Sequence, residues 1–287
     1  MIPPVFDYHV PRSVADALKL MGELGPDAKL LAGGHSLLPM MKLRFAQPEH
    51  LIDLGNIAEL KGILQDGDTL LIGAMTTENE IIWSHLLQNK CPLLIEGARQ
   101  ISDPQVRYKG TIGGDIAHGD PGNDHPALML ALRASFALRG AVGERVVPAD
   151  DFFIGSYETA MNPDEIMTQI RVPVPAQGAG YCYAKLKRKT GDFAAAAAAV
   201  VLRLKGGVVE DVRIALTNVG PTPLRATKAE ELLRRKKPDD GLIVEAARLA
   251  MSICAPSADQ RGDAEYKTAM AGEMTIRALT TARQRAA

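Results

Sequence analysis

The sequence has 287 residues, of which 46% are hydrophobic, and its 33 basic and 34 acidic residues give a formal net charge of −1. This length allows a substantial hydrophobic core and two or more domains. The balanced charge excludes the basic surface that nucleic-acid binding requires, and no apolar run approaches the ~20 residues of a membrane-spanning helix.

The pattern of metal-ligating residues indicates neither a metal centre nor a redox dithiol. Cys91, Cys182 and Cys254 are far apart and form no C-x-x-C motif, and the six histidines form no H-E-x-x-H motif. An odd number of cysteines also argues against a disulfide framework. We expect a cytoplasmic globular protein without a signal peptide, in which an organic cofactor would carry any redox chemistry.

The first 55 residues predict a small α/β unit. Residues 11–25 have apolar residues at helical spacing, with Ser13 as the expected N-cap and Gly25 closing the helix. The elements expected after this helix are a strand at 28–32, a short helix at 37–43 and a second strand at 50–54.

The segment from residue 56 to about residue 177 mixes strands and helices. Apolar runs predict a strand at 69–77, helices at 78–87 and 91–101, and strands at 135–140, 143–149 and 164–174. The stretch that begins at Gly110 is expected to be a glycine- and aspartate-rich loop, followed by an apolar helix that starts near Asp124. Residues 173–180 have the proline and glycine content of a domain linker.

The alanine-rich segment from Gly191 to Gly220 favours two different structures. Alanine propensity favours a helix, whereas Gly206-Gly207 between two apolar runs favours a β-hairpin. We expect the hairpin, because ten residues followed at once by a glycine turn fit a paired strand better. The small side chains would allow close packing on its face. Two or three amphipathic helices are expected within 225–253 and 262–285.

Two glycine pairs could bind a dinucleotide. A diphosphate carries two negative charges, and holding it requires several backbone N–H donors in a concave turn that no Cβ obstructs. The usual G-x-G-x-x-G and G-x-x-x-x-G-K-[ST] motifs are missing, but AGGHS at 32–36 and TIGGD at 111–115 each place a hydroxyl residue beside two glycines. Two such loops could enclose one diphosphate from both sides, or each could simply reverse the chain. The residues alone leave both interpretations open.

The segments KLLAGGHSLLPMMK and GTIGGDIAHGDPGNDHPALMLAL resemble the flavoprotein (medium) subunits of molybdenum hydroxylases. The resemblance is strongest to the subunits of aerobic carbon monoxide dehydrogenases, because GDPGND is typical of them. It extends over the whole chain, including KLKRKTGDFAAAAA and AEYKTAMAGEMTIRAL. It implies an α+β fold with a two-subdomain FAD-binding domain of the vanillyl-alcohol-oxidase (PCMH) type at 1–177, divided at about residue 55. A C-terminal domain at 178–287 would contain a three-stranded antiparallel sheet and helices.

The resemblance also implies which residues bind FAD. The two glycine segments would hold the diphosphate, Asp124 would contact the ribityl chain or the ring, and Lys185 would lie near the flavin. The full set of expected cofactor-binding residues is Leu31, Ala32, Gly33, Gly34, His35, Ser36, Leu37, Ile101, Thr111, Ile112, Gly113, Gly114, Asp115, Asp124, Ile166, Met167, Lys185 and Phe193. No catalytic base and no metal ligand is expected in this chain.

Two of these positions depart from the family pattern. Asp115 stands where many relatives have asparagine, and a diphosphate would repel its carboxylate, so the side chain is expected to point away or to bind a ribose hydroxyl. Phe193 stands where a close relative has tyrosine, so stacking would survive but a hydroxyl hydrogen bond would not. For three histidines we favour a structural role over contact with the cofactor: His35, His118 and His125.

The resemblance implies a subunit that passes electrons through non-covalently bound FAD. A small subunit with [2Fe-2S] clusters would supply them, and a large subunit with the molybdenum cofactor would oxidise the substrate. The acceptor would be a quinone, and the complex a dimer of heterotrimers, cytoplasmic or attached peripherally to the inner membrane face. The alternatives are a medium subunit for an aldehyde or aromatic substrate, a self-contained oxidase with FAD bonded to His35, and a non-catalytic scaffold.

Overall fold

The computed structural model describes residues 2–286, and its strands and helices are numbered here in chain order. Strands β1 to β14 are Asp7–His9, Ala28–Leu31, His50–Asp53, Ile63–Asp66, Thr69–Gly73, Ser135–Gly140, Gly143–Pro148, Phe153–Gly155, Glu158–Thr159, Ile166–Pro173, Gly180–Leu186, Ala196–Lys205, Val208–Thr217 and Leu224–Arg225. Helices α1 to α11 are Val14–Leu24, Leu37–Lys42, Glu78–Ile82, His85–Lys90, Pro92–Ala98, Pro104–Lys109, Ile112–His118, His125–Ala131, Thr227–Leu233, Asp240–Met251 and Ala264–Arg285. None of the helices in this range is long and apolar enough to cross a membrane.

The N-terminal unit is a three-stranded parallel sheet in the order β1-β3-β2. The predicted first helix is confirmed, and the Ser13 hydroxyl accepts a hydrogen bond from the N–H of Asp16. Val14 and Ala17 on this helix pack with Ile52 of β3 in a buried cluster. The helix α2 connects β2 to β3, as a parallel pair requires, so the segment at 32–36 leaves the carboxyl end of β2.

The second unit is a five-stranded antiparallel sheet in the order β4-β5-β10-β6-β7, with the eight-residue β10 at its centre. The predicted strand at 69–77 is wrong in its second half, because β5 ends at Gly73. The chain turns there so that Thr77 and Glu80 can form a reciprocal capping box at the start of α3.

The third unit confirms the hairpin. Strands β12 and β13 pair antiparallel and are joined by Gly206 and Gly207, both with positive φ, as a two-residue hairpin turn requires. The resemblance implies a three-stranded sheet here, and the observed sheet has four strands, because the two-residue β14 pairs with β13 at the edge beyond β11 to β13. Helices α9 to α11 follow, as expected from the amphipathic pattern.

The alanines of β12 explain how this sheet meets the rest of the chain. Ala196 and Ala198 belong to the core formed with α9, α10 and α11, whereas Ala197 and Ala199 belong to the core of the second unit. Both faces of β12 are therefore covered from Ala196 to Val200, and methyl side chains let both layers approach closely. Burial on both sides overrides the helix propensity of alanine.

Candidate functional site

The two glycine segments meet in space. A Cβ on Gly33 would lie 2.3 Å from the carbonyl oxygen of Lys109 and 2.8 Å from the Cα of Gly110. A Cβ on Gly114 would lie 3.2 Å from the Cβ of Ala32. The two segments are about 80 residues apart in sequence, yet the first packs directly against the backbone of the second. Such contact is required if both are to enclose a single ligand.

The first segment has free backbone donors. None of the N–H groups of residues 33–36 donates a hydrogen bond to an acceptor within residues 2–286. His35 and Ser36 are exposed, and the hydroxyl of Ser36 does not cap α2. Consecutive unpaired N–H groups in an open turn are the arrangement that binds phosphate oxygens.

The second segment is different from the predicted loop, because residues 112–118 form α7. Thr111 is its N-cap, and its hydroxyl accepts the N–H of Gly114 at 3.2 Å. The N–H groups of Ile112 and Gly113 donate to the carbonyls of Thr76 (3.0 Å) and Ala74 (2.9 Å).

The two glycine pairs therefore have different structural roles. A Cβ on Gly113 would lie 2.6 Å from both the carbonyl oxygen and the Cβ of Ala74, so this glycine allows α7 to pack on the chain beyond β5. The second pair thus fixes the backbone against which the first segment rests. The N–H groups of Gly113 and Gly114 are engaged, whereas the four consecutive N–H groups of residues 33–36 are free within the described part of the chain.

Asp124 forms a buried polar cluster with two side chains of β11. Its carboxylate accepts hydrogen bonds from the hydroxyl of Tyr183 and from Nζ of Lys185, the latter at 2.7 Å. The side chain of Lys185 is 1% exposed and also donates to the carbonyl of Gln100 at 3.2 Å. Asp124 is the N-cap residue of α8, but its side chain makes no capping hydrogen bond, because Tyr183 and Lys185 engage both carboxylate oxygens.

Sequence reasoning missed Tyr183. Burial and the Asp124 carboxylate raise the pKa of Tyr183 well above its usual value, so the hydroxyl remains a donor. Tyr183 and Lys185 are two residues apart on one strand and therefore project from the same face. That period-two relation to Lys185 was the signal in the sequence that could have identified Tyr183.

The apolar residues expected near the flavin fall into two groups. Leu31, Leu37 and Ile101 are half-buried, whereas Ile166 and Met167 lie in the protein core at 0% and 4% exposure. The two buried side chains belong to β10 and face separate hydrophobic clusters. Their contact with a cofactor stays a prediction.

Phe193 lies at the surface of the same region. Its ring is 44% exposed, close to Gly122, and the guanidinium of Arg261 lies 5.3 Å from its centroid. An exposed aromatic ring beside the Asp124 loop is available for stacking on a planar ligand. The cation–π contact with Arg261 holds it in place.

His125 is fully buried and pairs with Glu78, with Nε2 and Oε2 separated by 2.8 Å. Burial alone would lower the pKa of His125, but the Glu78 carboxylate raises it to about 9. His118 stacks edge-on against Tyr157 at 5.2 Å, and burial lowers its pKa. Neither histidine makes a polar contact with the first glycine segment, and their structural interpretation agrees with these contacts.

The His125–Glu78 pair makes stability pH-dependent. The pKa of His125 is higher in the folded chain than in the unfolded one. Protonated His125 therefore contributes its full amount to the free energy of unfolding below the ordinary histidine pKa. This contribution is lost as pH rises from about 6.5 towards about 9. We expect the free energy of unfolding, measured by urea titration, to fall over this range. In the E78Q/H125Q double variant the fall should be smaller, and equal slopes for both proteins would contradict the pairing.

Comparison with known proteins assigns each half of the chain to a domain family. Residues 4–175 match the family described as the FAD binding domain in molybdopterin dehydrogenase, and residues 181–282 match the CO dehydrogenase flavoprotein C-terminal domain.

Relatives match over their full length. The carbon monoxide dehydrogenase medium chain of Hydrogenophaga pseudoflava is 59% identical, with all of both chains covered. That of Afipia carboxidovorans is 52% identical, covering 100% of this chain and 99% of the relative. A solved structure of the Hydrogenophaga enzyme, described as lacking the Mo-pyranopterin moiety of the molybdenum cofactor, superposes with a TM-score of 0.99 at 60% identity over all of both chains. This chain therefore belongs to the family of carbon monoxide dehydrogenase medium chains, whose first domain is the FAD-binding domain of molybdopterin dehydrogenases.

Proposed function

We propose that this chain is the FAD-binding, electron-transferring subunit of a molybdenum-containing carbon monoxide dehydrogenase. The observation that carries the proposal is the free N–H array of residues 33–36, held against the backbone of residues 109–114. Full-length similarity to carbon monoxide dehydrogenase medium chains supports the substrate.

The described residues fit FAD. Residues 33–36 would bind the diphosphate through their N–H groups, with Thr111 beside them. Asp124 and Lys185 would face the ribityl chain and ring, and Phe193 would cover a face of the ring. Lys185 is almost completely shielded from solvent and paired with the Asp124 carboxylate, and the dipole of this buried pair would set the charge environment of the reduced flavin.

Bound FAD supplies the ability to accept electrons singly and release them in pairs. The role of this chain is to bind and orient the cofactor and to set the charge around it. The iron–sulfur clusters and the molybdenum cofactor belong, in this proposal, to a small and a large partner subunit.

Finer features complete the proposal. The complex would be a cytoplasmic dimer of heterotrimers that donates to a quinone, with an optional peripheral attachment to the membrane. The boundary between the FAD-binding domain, with its subdomains at about 1–55 and 56–177, and the C-terminal domain would lie at residues 177–178. The match of two family models on either side of it supports this division.

Denaturation of the complex that contains this chain tests the proposal. We expect the complex purified from its source organism to contain flavin, iron and molybdenum, and carbon monoxide to reduce its flavin. Precipitation with acid should release the flavin into the supernatant, because no covalent bond would hold it to the chain. Flavin that stays with the precipitated chain and is released by His35→Ala would favour the covalent oxidase, and a complex without a flavin spectrum would favour a scaffold.

A further inference from the structure

Asp115, the last residue of the second glycine segment, has a carboxyl group without a hydrogen-bond partner in the part of the chain that the structure describes. Its Oδ1 is completely buried and makes no hydrogen bond within residues 2–286. Its backbone is fixed, since the N–H donates to the carbonyl of Thr111 at 3.0 Å and the carbonyl accepts from Asn123 at 2.8 Å. The residue follows Gly114, which rests on Ala32 of the first glycine segment.

A buried carboxyl oxygen without a donor indicates a group that is stable there in its neutral form. An ionised carboxylate requires donors to replace the water that it loses on burial, and none of the described residues provides one to Asp115. Oδ2 also lacks a hydrogen-bond partner in the described chain, but it is not enclosed as Oδ1 is, and the residue as a whole is half-buried. Oδ2 is therefore the atom available to a ligand.

The charged groups around Asp115 act in opposite directions. Burial raises the pKa of Asp115 to about 8, and His125 on α8 opposes this rise. Glu78 on α3, together with Asp124 and Asp120 before α8, raises the pKa further. At neutral pH the proton remains on the carboxyl group, and the group can donate a hydrogen bond.

We propose that Asp115 binds the FAD diphosphate as a neutral carboxylic acid, donating a hydrogen bond from Oδ2 to a phosphate oxygen. Ionisation would replace an attractive donor with a negative charge beside two others, so the cofactor is released as pH rises. This inference rests on the proposed function. It resolves the conflict between a carboxyl side chain and a diphosphate at the same site.

The test is the dissociation constant of FAD between pH 6.5 and 9.5, measured by titrating FAD into the flavin-free complex. For the native chain we expect the constant to rise by about tenfold or more above pH 8. Asp115→Asn, whose amide can donate at every pH, should bind FAD within about threefold of the native chain at pH 7 and show a flat profile. Asp115→Leu should bind more weakly at pH 7 and also show a flat profile. Asp164→Asn, at an exposed acidic residue, is the matched control and should behave like the native chain.

The outcomes separate the possible causes. A flat native profile overturns the inference while FAD binding stands. A rise that persists in Asp115→Asn but disappears in the E78Q/H125Q variant assigns the effect to His125 and also overturns it. Failure of the complex to bind FAD at any pH overturns the proposed function together with this inference.

Discussion

Replacement of Gly33 by alanine is expected to weaken FAD binding by about 100-fold, equivalent to about 3 kcal/mol. The added Cβ would lie 2.3 Å from the carbonyl oxygen of Lys109 and 2.8 Å from the Cα of Gly110. Both are backbone atoms, so no side-chain rotation can relieve the overlap and the two segments must move apart. That movement displaces the N–H groups of residues 33–36 from the positions in which they would surround a diphosphate. Titration of the flavin-free complex with FAD measures the loss.

Gly22→Ala provides the matched control. A Cβ at Gly22, within α1, would meet no atom within 4 Å. This variant should bind FAD as the native chain does and be more stable by about 0.5–1 kcal/mol, because alanine has the higher helix propensity. Binding by Gly33→Ala within about threefold of the native chain would show that contact between the two segments does not position the donors.

Local sequence patterns were sufficient for most of the secondary structure. Ser13 identified the start of α1 because a helix cap depends on residues three positions apart. The Gly206-Gly207 turn identified the β12–β13 hairpin, because a hairpin turn also depends on residues that are adjacent in sequence. Alanine propensity gave the opposite answer for β12, and the glycine turn prevailed because the strand is buried on both faces.

The second glycine segment shows where local patterns fail. Residues 112–118 were expected to form a loop, yet they form α7. The helix start depends on Thr111, which was visible, and on the carbonyls of Ala74 and Thr76, which accept its first N–H groups from almost 40 residues away. The sequence correctly indicated that the two glycine pairs could converge, but it could not show which pair keeps its donors free.

The polar contacts of the candidate site are harder to predict from local sequence, because they join residues that are far apart in the chain. The Glu78–His125 pair joins residues 47 positions apart, and the Tyr183–Asp124 hydrogen bond joins residues 59 apart. Only the family resemblance connected Asp124 and Lys185 to one site. The resemblance did not include Tyr183 or Glu78, and the fold brings Tyr183 to Asp124 and Glu78 to His125.

The buried Asp124–Lys185 ion pair should be strongly coupled, and a double-mutant cycle tests this. Lys185→Met leaves a buried carboxylate without its cation, and we expect a loss of about 3–5 kcal/mol in the free energy of unfolding. Asp124→Asn leaves the ammonium without its anion and should cost a similar amount, although the amide oxygen can still accept from Tyr183. The double variant buries no isolated charge. We therefore expect it to lose less than the sum of the single variants by about 2 kcal/mol or more, measured by urea unfolding of the full chain.

An exposed ion pair with the same N–O distance shows whether burial causes the strong coupling of Asp124 and Lys185. Arg277 and Glu273 on α11 are also separated by 2.7 Å, but their side chains are 65% and 41% exposed, against 1% for Lys185 and 6% for Asp124. Solvent screening should limit their coupling to about 0.5 kcal/mol. Equal coupling in the two cycles would contradict a special role for the buried pair. A large coupling at Asp124–Lys185 alone would show that β11 and the start of α8 are held together by a charge pair at the position where the flavin is proposed to bind.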